Sequence, residues 1–480
     1  MLLRVVFRCF FAFCNFAFGR NFLLLSICDI IIFFSALDLS ILHIDKLSLL
    51  VYNPSNEKKS RITIFEVEKM KNFAKVLSLA LVVVMLASLV VSCTTASNQA
   101  PKLKTTFVKS LGDSSISVDD FTPADPDALA GQTINIGIIG SLTGAVAQYG
   151  TSAIQGMELA IKEINASSEK VLGATISYTR YDDQFTDANA IAKFEEFAED
   201  GVSAVLGGIT SGLTKSLVNK AMEYKLPLLT PTATSDDVTS LENDWVFRTC
   251  FSDSFQGEIA ALYAQSLGYK EVGVLYATGD VYSSGLYQAF KTKCEELGIT
   301  IKVTVTTAAA TEVEYKTQLT EVVNSGVEFL FVPYYYDVVG PNIIPQARAY
   351  GYDGIIMGGD GFDGTATTAV GKASDYENVY FTNHYSADDT SEKVQHFVSA
   401  YTKEYGAESL SSFAALGYDT AYMFKKAVEM AGSADSAAIQ AVLANSETPF
   451  GFSGVTGAFL LDETGTPNKS VVILKFDKAE

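Results

Sequence analysis

From residue 133 onward, apolar and polar positions follow two recurring patterns. Short runs of β-branched and apolar residues between glycine turns read as buried parallel strands. Longer stretches with apolar residues three and four apart read as amphipathic helices. The first strand is expected at 133–140 (TINIGIIG), and Ile154, Met157, Ile161 and Ile164 then predict one buried face of a helix over 151–165. Further strands are expected at 174–181, 202–209 and 226–230, with helices over 188–200 and 211–224 between them. Four strands with helical crossovers predict an open, doubly wound parallel sheet. A second series begins near residue 253, with helices over 255–267, 282–297, 314–324 and 341–350 and strands at 272–276, 300–306, 328–333 and 355–357. After a strand at 379–382, a helical stretch covers 391–405, 412–431 and 437–444, and strands return at 458–461 and 471–476. The fold class is α/β, two similar lobes in series, with the chain crossing between them more than once.

The first hundred residues break this rhythm. Residues 1–45 are rich in Phe, Leu and Ile, but charges divide them into runs shorter than the roughly 18–20 residues that span a bilayer core. Residues 46–69 are polar and patternless. Met70 then precedes Lys71 and Lys75, a 17-residue uncharged apolar run over 76–92, and Cys93. A basic start, an apolar middle and a small terminal residue make the layout of a secretory signal peptide at 70–92. The LVVSC run at 89–93 resembles the lipobox of bacterial lipoproteins, which implies a lipid anchor on Cys93. Translation is therefore expected to begin at Met70, with 1–69 as upstream sequence read in frame; the alternative is a membrane-associated extension. Residues 93–132, rich in Thr, Ser, Asp and Pro, are expected to form a flexible tether.

Composition narrows the class. The 480 residues carry 35 Lys+Arg against 55 Asp+Glu, a net charge of −20, so nothing in the balance would neutralise nucleic-acid phosphates. Hydrophobic residues are 48% and charged ones 19%, enough for packed cores in two or three domains. Of six cysteines, only Cys250 and Cys294 lie beyond the anchor site; two separate buried thiols are expected, a single disulfide being the alternative. Catalytic sets are missing from the sequence beyond residue 92. His384 and His396 stand alone, and there is no HExxH, CxxC, GxSxG or phosphate-binding GxxxxGK[ST]. The adjacent acids Asp182-Asp183, Asp236-Asp237 and Asp388-Asp389 are expected as solvated turns or caps, since neighbours on a strand point to opposite faces.

The remaining chemistry gathers at strand C-termini, where open α/β sheets bind ligands beside helix N-termini. One strand leads to Ser141 through Gly150, including Tyr149; another to Thr210 and Ser211; a third to Thr230 through Thr234. In the second series, strands end at Asp360 and at Tyr334–Tyr336, and a helix starts at Tyr282. Each residue has a plainer role: Ser211 and Thr234 suit helix N-caps, Asp360 suits a turn, and the tyrosines suit packing. Together they sit where a cleft would open. Hydroxyls and amides suit a carboxylate, an acid opposite suits an ammonium, and tyrosines can wall an apolar side chain. That set describes a free amino acid.

At this point a family resemblance emerges. The stretch INIGIIGSLTGAVAQYG at 134–150 is similar to the opening of the type I periplasmic binding proteins of branched-chain amino acid ABC transporters, the Leu/Ile/Val-binding group. YDD at 181–183, LTPTAT at 229–234, FRT at 247–249, YSSG at 282–285, QAR at 346–348 and MGGDG at 357–361 follow in the family's order. The resemblance implies two Rossmann-like lobes joined by three crossovers and closing on a ligand. It implies a first lobe of 133–252 plus 384–455 and a second of 253–383 plus 456–477. Ser211, Thr232 and Thr234 fall where the family holds the ligand's carboxylate and ammonium from the first lobe. Tyr149, Tyr282 and Tyr335 fall at the side-chain pocket, and Asp360 at the acid that pairs with the ammonium. Thr210, Asp253 and Phe413 match pocket-adjacent positions. Gln184 and Thr210 stand where the archetype has a disulfide, Asp360 is one methylene shorter than the usual Glu, and Thr232 replaces a smaller residue. These departures keep open a small polar amino acid or an amide beside leucine, isoleucine and valine.

The expected function is an extracytoplasmic, lipid-anchored solute-binding protein. It would be a monomer without cofactor, delivering an amino acid to an ABC permease. A sensory receptor domain of the same fold, or a binder of urea or short amides, is the alternative. An enzyme would need a nucleophile with a positioned base, and no such pair is visible.

Overall fold

The computed structural model describes residues 100–479 apart from 113–114 and 241. The signal-peptide and Cys93 expectations lie outside these residues. The described chain opens with β1 (Leu103–Leu111). The first lobe follows: β2 (Thr133–Gly140), α1 (Ala147–Ala166), β3 (Thr175–Asp182), α2 (Asp187–Glu199), β4 (Val205–Gly207), α3 (Ser211–Tyr224), β5 (Leu228–Thr230) and β6 (Val246–Arg248). Its sheet has five strands, not the four expected, in the order β3-β2-β4-β5-β6, all parallel. The extra strand β6 is three buried residues long, too short to show a period.

The second lobe comprises α4 (Asp253–Ser266), β7 (Glu271–Ala277), α5 (Val281–Leu297), β8 (Thr300–Thr307), α6 (Lys316–Ser325), β9 (Phe329–Phe331), α7 (Ile344–Ala349), β10 (Ile355–Gly358) and β11 (Val379–Asn383). The chain then returns to the first lobe with α8 (Glu392–Tyr405), α9 (Ser412–Ala431) and α10 (Ser436–Leu443), whose Phe397, Phe424 and Ile439 share a core with Ile136, Met157 and Ile161. A small antiparallel sheet follows, of β12 (Gly451–Gly454), β13 (Gly457–Leu461) and β14 (Pro467–Asn468). Finally β15 (Val471–Lys478) enters the second lobe's sheet, ordered β1-β15-β11-β10-β9-β7-β8.

Three crossovers, at 249–252, 384–391 and 469–470, therefore join the lobes. The third falls later than the expected 456. Phe459 and Leu461 of β13 bury their side chains in the first lobe's core, which keeps that hairpin there. The tether also differs from expectation. Residues 103–111 pair antiparallel with β15 along its length, and Leu129 is buried in the first lobe's core. Because β1 lies in one lobe's sheet and β2 in the other, the chain between them makes a fourth passage across the interface. Cys250 and Cys294 are both buried free thiols.

The element that positions the site is α1. It packs against α9 with the two backbones in contact. A Cβ on Gly156 would lie 2.0 Å from the Ala414 carbonyl oxygen, and one on Gly417 would lie 2.0 Å from that of Ala153. Glycine at both positions is what allows this approach. It brings Tyr149, in the first turn of α1, against Phe413, in the first turn of α9, with their rings stacked at 4.0 Å and 5°.

Candidate functional site

The strand ends of the two lobes face each other across one narrow cavity. Tyr149, Thr210, Ser211, Thr232, Thr234, Tyr282, Tyr335, Asp360 and Phe413 all line it, together with Ile209 and Gly361. Nine of the ten ligand-site residues expected from sequence thus share a single space. The tenth, Asp253, sits one residue further back. It reaches the lining through Gln256, whose Nε2 donates to Asp253 at 3.0 Å and to Asp360 at 3.2 Å.

The first lobe offers donors. α3 begins at Ser211 with Thr210 as N-cap, no side chain caps its first N–H groups, and both residues line the cavity. Ser211 Oγ instead accepts the Ser235 N–H at 3.1 Å, and Thr232 Oγ1 donates to the Ile209 carbonyl at 2.7 Å. The loops after β4 and β5 are thereby tied to each other. Arg248 braces them from behind. Its guanidinium, 2% exposed, donates to the Thr234 and Ser235 carbonyls at 2.9 Å each and to Thr466 Oγ1 at 3.0 Å. The plainer expectation that Ser211 and Thr234 serve as helix N-caps does not hold. The carboxylates of Asp182 and Asp183 brace the preceding loop: Asp182 accepts the Leu142 N–H at 2.8 Å, and Asp183 accepts Ser141 Oγ at 2.6 Å. Asp183 is fully buried rather than solvated, because this loop folds over it.

The second lobe offers an acid and phenols. Asp360 Oδ1 accepts from Tyr282 Oη at 3.0 Å, and Oδ2 lies 3.0 Å from His384 Nε2. Tyr282 stacks on Tyr335 at 5.1 Å, and the Tyr335 hydroxyl donates to Asp280, the N-cap of α5, at 3.2 Å. Burial holds the Tyr149, Tyr282 and Tyr335 phenols well above the usual tyrosine range, so they are neutral walls. Burial, with the Asp360 carboxylate beside it, also pushes Asp253 well above the usual carboxylate range. Among the described residues no group of three or more His, Cys, Asp or Glu side chains could hold a metal ion.

The lobes touch directly at the cavity's rim. The Tyr149 hydroxyl donates to the Gly361 carbonyl and accepts the Tyr336 N–H at 3.2 Å. The Tyr336 hydroxyl in turn donates to the Ala145 carbonyl at 3.3 Å and accepts the Gln148 N–H at 3.2 Å. Thr367 Oγ1 donates to Gln148 Oε1 at 2.6 Å. Sequence reasoning missed Gln256, Arg248, Tyr336 and His384 as parts of this assembly. Arg248 lay within the FRT run and Tyr336 within the tyrosine triplet, whereas Gln256 and His384 carried no local signal.

Comparison with known proteins agrees with this architecture. The family model described as periplasmic binding protein matches residues 133–480. A Leu/Ile/Val-binding protein homologue of Brucella melitensis is 28% identical over 346 residues, 72% of this chain and 91% of its own length. A branched-chain amino acid transporter substrate-binding protein of Streptococcus pneumoniae, solved in complex with isoleucine, is 30% identical with a TM-score of 0.62, covering 71% of this chain and 99% of that one. A leucine-binding protein of Thermotoga maritima gives 28% identity and a TM-score of 0.64, over 72% and 97% of the two chains. Two doubly wound lobes, a shared cavity at their strand ends and a match along most of the chain place this protein in the periplasmic binding protein family, whose members bind solutes rather than transform them.

Proposed function

We propose that the protein captures a free α-amino acid with an apolar side chain, branched-chain amino acids first, and presents it to an ABC permease. One observation carries this reading: an acid in the second lobe and a helix N-terminus with hydroxyls in the first line the same cavity, with aromatic rings between them. The α-carboxylate would sit on the α3 N-terminus, against Ser211 and Thr234, where free N–H groups and the helix dipole favour an anion. The α-ammonium would pair with Asp360. Tyr149, Tyr282, Tyr335 and Phe413 would enclose the side chain, and Thr210, Thr232 and Asp253 would complete the polar surround. Binding would stabilise the closed arrangement by bridging the lobes, to the extent that the ligand prefers closed over open. Anchoring through a lipid on Cys93 would keep this capture at the membrane surface.

Isothermal calorimetry against the twenty amino acids tests the reading. Micromolar or tighter binding of leucine, isoleucine or valine is the expected result. Binding of none of the twenty, with heat from urea or a short amide instead, would overturn the ligand class.

A further inference from the structure

Asp360 is held on more sides than its role as a counter-ion requires. Oδ1 accepts from Tyr282 and from Gln256. Gln256 is itself fully engaged, its Oε1 accepting from Thr382 at 2.8 Å and from the Asp360 N–H at 3.2 Å. An ionised carboxylate presents about four acceptor sites, two per oxygen. Both sites of Oδ1 are filled, and one of Oδ2 faces His384. The remaining acceptor site is therefore on the oxygen whose direction His384 sets.

His384 is well placed to set it. The ring is buried and stacks on Phe251 at 3.7 Å and 18°. Phe251 belongs to the first crossover and His384 to the second, so the imidazole is located by the hinge itself. Its Nδ1 has no hydrogen-bond partner, which assigns the proton to Nε2 as a donor toward Asp360. Burial holds the imidazole down at about 4, so near neutral pH it donates without carrying charge. A neutral donor leaves the carboxylate's charge to the ligand. A lysine or arginine at this place would compete with the ligand's ammonium for it.

On the functional reading above, we infer that His384 is a positioning residue for ammonium recognition. Its Nε2–H orients Asp360 Oδ2, and so sets how strongly the site prefers an α-amino acid over the same acid without its amino group.

The test compares leucine with 4-methylpentanoate, its deaminated counterpart, by calorimetry on wild type, H384L and H384Q, with melting temperatures alongside. Loss of the donor in H384L should reduce the leucine-to-4-methylpentanoate affinity ratio about tenfold or more while 4-methylpentanoate binding changes little. H384Q, which can present an amide N–H to Oδ2, should keep most of the ratio. An unchanged ratio in H384L, or an equal loss for both ligands, overturns the proposal and leaves a packing role. Should H384L not fold, nitrogen-15 NMR of the wild-type histidines decides: Nε2 protonated and Nδ1 bare at pH 7 supports the inference, and the opposite tautomer overturns it. A wild type that binds no amino acid overturns the functional reading itself, and this inference with it.

Discussion

The Asp360 carboxylate, bound by Tyr282, Gln256 and His384, gives the sharpest single-residue outcomes. On the proposed reading, replacing Asp360 with alanine would leave the ligand's ammonium unpaired between the lobes. Leucine binding should weaken by more than about 2 kcal/mol, roughly thirtyfold. Calorimetry checks this, and an unchanged dissociation constant would defeat the role. His384 gives a pH-dependent outcome. Burial lowers its folded pKa to about 4, below the roughly 6.5 of an unfolded histidine. The unfolded chain therefore takes the proton first as pH falls. The stabilisation from keeping His384 neutral is present above about pH 6.5 and is lost as pH drops toward 4, by about 1–3 kcal/mol. Urea titrations of wild type and H384Q from pH 7 to 4 should show wild type losing stability relative to the variant. Asp253 titrates in the opposite sense, since burial raises its pKa, but it is common to both proteins and cancels in the difference. At this scale the sequence was informative about residue type and nearly silent about partnership. The MGGDG run marked Asp360 as a strand-end acid, but nothing near residues 256 or 384 announced that Gln256 and His384 would hold it. Those contacts span 104 and 24 residues of chain.

Among elements, the α1–α9 pair decides the geometry of the aromatic wall. A methyl group at Gly156 would meet the Ala414 carbonyl at 2.0 Å, so the helices would have to part. Gly156→Ala should cost about 1–3 kcal/mol or more in urea unfolding. It should also weaken ligand binding by displacing Tyr149 from Phe413, and a variant matching wild type in both assays would contradict this packing account. The periodicity of Ile154, Met157, Ile161 and Ile164 revealed α1 but placed its start at 151, because the AQYG stretch at 147–150 has no apolar period. The true first turn, from Ala147, is what aims Tyr149 at the cavity. β1 was illegible for a different reason. LKTTFVKSL alternates weakly between half-buried and exposed residues, as an edge strand does, and the β15 residues it pairs with lie at least 360 positions away. Deleting residues 100–111 would expose β15 as an unpaired edge. The truncated protein should melt lower and aggregate more readily in light-scattering scans.

At the scale of the whole molecule, the proposed function rests on the balance between two lobe arrangements. Tyr336 reaches from the second lobe to the backbone of Ala145 and Gln148 in the first, so its hydroxyl contributes only when the lobes are together. Tyr336→Phe removes both bonds without touching the cavity lining. Ligand affinity should fall by about 1 kcal/mol, roughly fivefold, because the closed state alone loses the bonds. Small-angle scattering of the ligand-free variant should give a radius of gyration no smaller than that of wild type, and a tighter-binding or more compact variant would refute this. The two-lobe plan was legible because each lobe is a local repeat of strand and helix. The place of the third crossover was not, because the β12–β13 hairpin could pack on either lobe, and Phe459 and Leu461 decide for the first.

By itself the sequence determined what is encoded locally. The α/β rhythm follows from hydrophobic period, and the candidate ligand groups follow from residue types at strand ends and from a family's motifs kept in order. Tertiary structure alone decided which of these groups meet, how Asp360 is held, and where the chain passes between lobes. The physical reason is range. Periodicity and turn chemistry act over a few residues, whereas the cavity is assembled from side chains brought together by sheet order and by two helices packed backbone to backbone.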